Sequence, residues 1–99
     1  MQQPTLAYRR AVEVVARTEQ LPMSAIRKPV GRRQKRARWL ALYLAGVAAG
    51  CGIKPSARAA RVHPRIAQQA VRWWEDRRDD PAIDEQLGHL EEQLHAAFI

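Results

Sequence analysis

Arg65, Gln68, Gln69 and Arg72 recur three and four residues apart, so on a helix they share one face. Arginine pairs bidentately with guanine and glutamine with adenine, which makes this face suited to reading base edges. His63 stands just before it and joins the candidate base contacts. Ile66, Ala67, Ala70, Val71 and Trp74 occupy the opposite side at helical spacing and are expected to pack inward. An ordinary amphipathic surface helix would mix both charge signs on its outer face, and this face carries no acid.

The charge pattern extends far beyond this stripe. Between Glu19 and Glu75 there is no carboxylate, yet there are twelve bases: Arg27, Lys28, Arg32, Arg33, Lys35, Arg36, Arg38, Lys54, Arg58, Arg61, Arg65 and Arg72. Residues 1–74 carry a net +13 and residues 75–99 a net −6, which together make the +7 of the chain. A merely soluble basic surface intersperses Asp and Glu. A surface that excludes them suits a polyanion, whose counterions are released on binding. The basic segment 27–38 is the candidate phosphate-tracking or minor-groove arm, with Arg27, Lys28, Arg32, Arg33, Lys35, Arg36 and Arg38 as contacts. Lys54, Arg58 and Arg61 extend the phosphate-contacting set.

At 99 residues the chain is a single small domain, 1–99, with one modest core and no room for a separate catalytic unit. No Walker-type glycine loop, no nucleophile beside a base and no cofactor loop is present, so no enzymatic activity and no cofactor are expected. Cys51 is the one cysteine; it allows no internal disulfide and fits a reducing cytoplasm. Between Gly50 and Gly52 it reads as a small apolar filler. Trp39 to Ile53 is apolar or glycine throughout, but its 15 residues fall short of the roughly 20 a bilayer needs. It is expected to be the buried central helix, with Gly46 and Gly50 allowing close packing, and no membrane partner is expected. Met1-Gln2-Gln3-Pro4 lacks the regions of a signal peptide, so the expected location is the cytoplasm, at the nucleoid.

The elements that must position these residues are all helical: an all-α domain of about five helices with a helix-turn-helix. Thr5 caps a first helix that runs to about Glu19, with Leu6, Val12, Val15 and Ala16 as apolar positions. Leu21-Pro22 ends it, and Met23 to Ile26 is a single turn. Arg27 to Gly31 is a loop. The second helix begins near Arg33, runs through Val47, and stops at Gly50-Cys51-Gly52. A short third helix from Pro55 to Arg61, the turn Val62-His63 and a fourth helix opened by Pro64 form the helix-turn-helix over 55–78. Asp80 caps the acidic fifth helix, 81–98, with Pro81 first and Ile83, Leu87, Leu90, Leu94 and Phe98 in one stripe.

Several of these segments resemble a known family. They are Ala11-Val12-Glu13-Val14-Val15-Ala16, the stretch Leu21 to Ile26, Arg38-Trp39-Leu40-Ala41-Leu42-Tyr43-Leu44-Ala45, Ala70-Val71-Arg72 and the tail Glu75-Asp76-Arg77-Arg78-Asp79-Asp80-Pro81. Together they are similar to the C-terminal helix-turn-helix DNA-binding domain of the bacterial replication initiator DnaA, over nearly the whole chain. The stretch from Arg38 resembles the family's Arg-Gln-x-Ala-Met-Tyr-Leu. The family opens its recognition helix with Gly-Gly-Arg-Asp-His-Thr-Thr-Val, where this chain has Arg61-Val62-His63-Pro64-Arg65-Ile66-Ala67 with one residue deleted. The resemblance therefore implies the family's fold with a different recognition sequence. Arg65 takes the place of a base-contacting Thr, and one of Arg32, Arg33 or Arg36 the place of the minor-groove arginine. No counterpart of the family's nucleotide-binding domain lies in these residues. The resemblance thus implies a detached DNA-binding domain of the alphaproteobacterial stand-alone kind, either modulating replication initiation or activating phage-like or gene-transfer-agent genes.

His63, His89, His95 and Cys51 match no metal-ligand spacing, and no metal is expected. Trp74 belongs to the core stripe; Trp73 lies at its edge, positioned either to cover the fifth helix or to contact a protein. Trp39 and Tyr43 are expected in the core. The leading expectation is a sequence-specific duplex-DNA regulator. The alternatives are a replication-initiation modulator acting through a protein partner and a nucleoid-coating or RNA-binding protein. RNA polymerase, the replication initiator, a DNA-bending protein and a second copy of the chain are the protein partners these alternatives imply.

Overall fold

The computed structural model describes residues 2–98 and shows an all-helical domain. Six α-helices follow one another: α1 (Pro4–Glu19), α2 (Met23–Arg27), α3 (Arg32–Tyr43), α4 (Ile53–Ala60), α5 (Pro64–Arg77) and α6 (Pro81–Ala96). The one beyond the expected five is α2, a five-residue piece expected as a single turn. The first helix is capped by Gln3, whose side chain accepts from the Leu6 N–H at 2.7 Å, rather than by Thr5, which lies inside it. Leu6 is exposed, and Ala7, Tyr8 and Ala11 join Val12 and Val15 in the core.

After Tyr43 the chain of α3 widens into a π-helical turn over Leu44–Ala48. The Ala49 N–H bonds to the Leu44 carbonyl at 2.9 Å, and the Cys51 and Gly52 N–H groups to Ala45 and Gly46 at 3.2 and 3.0 Å. These wide turns satisfy carbonyls that a helix end leaves open. Gly50 adopts φ 75°, a left-handed backbone that glycine enters without strain. The two expected packing glycines therefore differ in role. A Cβ at Gly46 would stand 3.5 Å from Ser56 Oγ of α4, whereas one at Gly50 would meet nothing. The apolar run is buried from Leu40 to Ala45, Val47 is exposed, and Ala49 and Cys51 are buried again.

The central packing unit is α3 against α5 and α1, with α4 wedged between α1 and α5. Ile26, Leu40, Leu42, Tyr43, Leu44, Ala57 and Ala70 are nearly closed to solvent. The last helix begins as its sequence predicts, with Asp80 Oδ1 accepting from the Ala82 N–H at 2.9 Å and Pro81 first. Its Leu87, Leu90 and Leu94 are buried and Ile83 and Phe98 partly so. They pack on α1 and the π-helical turn, so this helix closes over the domain. No helix among the described residues is long and apolar enough to cross a membrane.

Candidate nucleic-acid interface

A short helix, a tight turn and a helix opened by Pro64 build the unit; the first starts at Ile53, two residues before the expected Pro55. In α4 the chain stops at Arg61, which adopts a left-handed conformation with φ 59°. The Val62 N–H closes the end by bonding to the Ala57 carbonyl at 2.9 Å. Glycine usually takes this position, because an L side chain there costs on the order of 1 kcal/mol. Next comes His63, the N-cap of α5, whose Nδ1 accepts from the Arg65 N–H at 3.0 Å. That bond requires the neutral ring with its proton on Nε2. One nitrogen of this candidate base contact is thus committed to the backbone, and only the Nε2 side is presented outward.

Along α5 the expected two faces are present. Ala67, Ala70, Val71 and Trp74 are buried and Ile66 is half-buried, while Arg65, Gln68, Gln69 and Arg72 are exposed. The first acids of this helix, Glu75 and Asp76, come only in its last turn.

The arm keeps close to the expected elements: the loop covers 28–31 rather than 27–31, and α3 starts at Arg32 rather than near Arg33. Only residues 28–31 are irregular; Arg32, Arg33, Lys35, Arg36 and Arg38 are already helical, on the first two turns of α3. A flexible loop threading a minor groove is therefore limited to Lys28–Gly31, because the backbone of the rest is committed to helical hydrogen bonds. Arg33 also donates to the Glu19 carbonyl at the end of α1, where a cation complements the helix dipole. The start of α3 has no acid in its first turn and no side-chain cap. Cations there oppose the helix dipole by about 0.3–1 kcal/mol each at low salt. An anion bound from outside would reverse that sign.

Two clusters bring the scattered cations together. The first is a small hollow of about 140 Å³ lined by Arg32, Lys35, Arg36, Trp39 and Trp73. Trp73 stands edge-on to Trp39 at 6.1 Å, with Arg36 and Arg77 over its ring at 5.1 and 3.4 Å. It thus packs toward α3 rather than over the last helix, and Trp39 is half-buried at this edge instead of in the core, while Tyr43 is fully buried. The second is a cleft of about 770 Å³ where Arg27, Lys28 and Arg38 meet Arg61 of the turn, with Tyr8 and Arg9 of α1 completing the wall. Lys54 and Arg58 are exposed on α4 and line neither cluster. Tyr8, Arg9 and Arg77 are the contributors that sequence reasoning missed. No local signal marks Tyr8 and Arg9, whose cleft partners are far along the chain, whereas Arg77 stands four residues from Trp73, a helical spacing that could have flagged it.

Among the described residues none of the twelve cations between Glu19 and Glu75 takes part in an ion pair. The acidic end behaves differently. Arg78 bonds Asp84 at 2.6 Å, Glu91 at 3.1 Å and the Tyr43 hydroxyl at 2.9 Å, joining α3, the end of α5 and α6. The Glu91 bond, then Tyr43 and Asp84, holds its guanidinium more firmly charged than usual.

Cys51 is buried, its thiol 3.4 Å from the Gln2 carbonyl, and burial pushes its pKa up, as suits a filler and not a nucleophile. No group of three His, Cys, Asp or Glu side chains able to hold a metal ion occurs among the described residues. No family model matches the chain, and neither a curated protein nor a solved structure matches it.

Proposed function

We propose that this chain is a sequence-reading duplex-DNA-binding regulator of transcription. In this reading the start of α5 enters the major groove, and the basic first turns of α3 follow the phosphate backbone. The observation that carries it is the exposed Arg65, Gln68, Gln69 and Arg72 stripe, set on the second helix of a helix-turn-helix, within a stretch of fifty-five residues that holds no acid. The helix is held from behind by Ala67, Ala70 and Val71, so its outer side chains are free for base edges. The similarity to the DnaA C-terminal domain supports the same reading and stands on the residues quoted for it.

A second reading is favoured by the half-buried Trp39–Trp73 pair between arginines, a surface suited to a protein contact. The chain would then modulate replication initiation through a protein partner, with DNA binding that is weak and non-specific. Selection of binding sites from a random duplex library at moderate salt, beside Arg65→Ala, separates the two. A defined motif that the variant loses, with about 1–3 kcal/mol of discrimination at one base pair, is the expected result. Recovery of no motif, with affinity that fades with salt equally in both proteins, overturns the sequence-reading function.

A further inference from the structure

We propose that the cleft walled by Arg9, Arg27, Lys28, Arg38 and Arg61, with Tyr8 in its lining, is a phosphate-binding site separate from the base-reading stripe. The five cations come from α1, the end of α2, the following coil, α3 and the cap of α4, and no carboxylate lines the cleft. The nearest acid on α1, Glu13, is held by Arg10 at 2.9 Å and reaches Arg9 only at 3.7 Å. Among the described residues, four of the five cations therefore have no ion-pair partner.

Two buried groups point to what is missing. The Tyr8 hydroxyl and the Arg38 Nε are closed off from solvent and have no hydrogen-bond partner among the described residues. Buried polar groups are nearly always satisfied, so a pair of orphans lining one cleft calls for an explanation. Arginine has donors only. Tyr8, 6% exposed, stays protonated because burial pushes its pKa up to about 12, against the opposite pull of Arg38 and Arg27. A partner that accepts hydrogen bonds would satisfy both donors, and the five cations around them favour one that carries negative charge. Phosphate offers several acceptor oxygens, and the planar arginine fork matches it bidentately.

A third feature agrees. Arg61 holds its side chain at a left-handed backbone position where glycine would be easier. At about 770 Å³ the cleft has room for a pyrophosphate, a nucleoside phosphate or a stretch of nucleic-acid backbone. The phosphate could thus come from a duplex or from a free phosphorylated compound.

Thermal unfolding of the full chain in chloride buffer tests the site, with inorganic phosphate or pyrophosphate added at constant ionic strength. A saturable rise in Tm is expected, on the order of 5 °C at ten times the dissociation constant. In Tyr8→Phe the Tm without anion should equal or exceed that of the parent, since the orphaned hydroxyl is gone, and the phosphate-dependent rise should fall below half. Arg38→Gln should lose the rise as well. The site is overturned if sodium chloride of equal ionic strength gives the same rise, or if the rise persists undiminished in both variants. Duplex titrations then distinguish the sources. A fall of about three- to tenfold in duplex affinity, with a salt slope shallower by about one, assigns the phosphate to the duplex backbone. Unchanged duplex affinity assigns it to a free compound. Arg65→Ala should keep the phosphate response whatever its effect on motif selection, so failure of the base-reading function and failure of this site are told apart.

Discussion

Arg78 and Arg38 are the same residue type at similar half-burial, and the fold treats them in opposite ways. Three groups from two helices converge on Arg78, and its guanidinium becomes a tie between α3, α5 and α6. Arg38 shares its cleft with Arg27, Lys28 and Arg61, and its Nε has no partner among the described residues. The difference lies in where the acids are. Eight of the ten stand after Trp74, so cations packed against α6 are neutralised inside the molecule and cations between Glu19 and Glu75 are not. One region spends its charge on holding the fold; the other leaves its charge without an ion pair among the described residues.

The largest effect should come from removing the paired region altogether. A chain ending at Asp80 lacks Leu87, Leu90 and Leu94, each of whose burial contributes about 1.5–3 kcal/mol, a sum that rivals the whole stability of a small domain. Circular dichroism should show it unfolded at room temperature; a folded truncated chain would mean that the closing helix is dispensable.

Alkaline pH probes the open region next. The Tyr8 hydroxyl is raised from 10.0 to about 12 in the folded chain, so the unfolded chain ionises first. Its contribution is fully present below pH 10 and is lost as pH rises toward 12. This amounts to about 2–3 kcal/mol of stability lost across that window. Urea unfolding at stepped pH should show this loss, and Tyr8→Phe should lack it.

Arg78→Met leaves Asp84, Glu91 and the Tyr43 hydroxyl without their shared donor. Because the site is partly solvated, the expected cost is about 1–2 kcal/mol, seen as a Tm lower by several degrees with nucleic-acid affinity unchanged. Arg61→Gly should act with the opposite sign. Relief of the left-handed strain raises stability by about 1 kcal/mol, while titration with duplex DNA shows weaker binding. A variant stabilised without any loss of binding would place Arg61 outside the interface.

The smallest stability effect is expected for Arg38→Met, within about 0.5 kcal/mol of the parent, since no native partner is lost. Its salt dependence of nucleic-acid binding should nonetheless become shallower by about one ion. If Arg38→Met destabilises as much as Arg78→Met, the contrast between the two regions fails.

Much of the fold was legible in order. Pro64 and Pro81 open helices where their fixed φ fits, Asp80 caps, and the spacing of Leu87, Leu90 and Leu94 marks a buried face. These are local facts of period and backbone geometry. The cap of α1 was misplaced onto Thr5 because Gln3 caps through a longer side chain that local propensity does not favour. The start of α3 was legible to within one residue, near Arg33 against Arg32, although a run of cations at a helix N-terminus opposes the dipole. Trp73 could not be assigned to α3 or to the last helix, since adjacent tryptophans on one helix do not reveal which neighbour each will meet.

By itself the sequence determined the all-helical class, the stripe Arg65, Gln68, Gln69 and Arg72, and the segregation of acids from bases. Periodicity and sign are properties of the linear chain. The tertiary structure alone decided that Tyr8 and Arg9 meet Arg27, Lys28, Arg38 and Arg61 around one cleft, and that Arg78 rather than Arg77 becomes the tie to α6. Those groupings join residues up to fifty-three positions apart, and only the packing angles of the helices, which no local pattern encodes, bring such side chains within reach of one another.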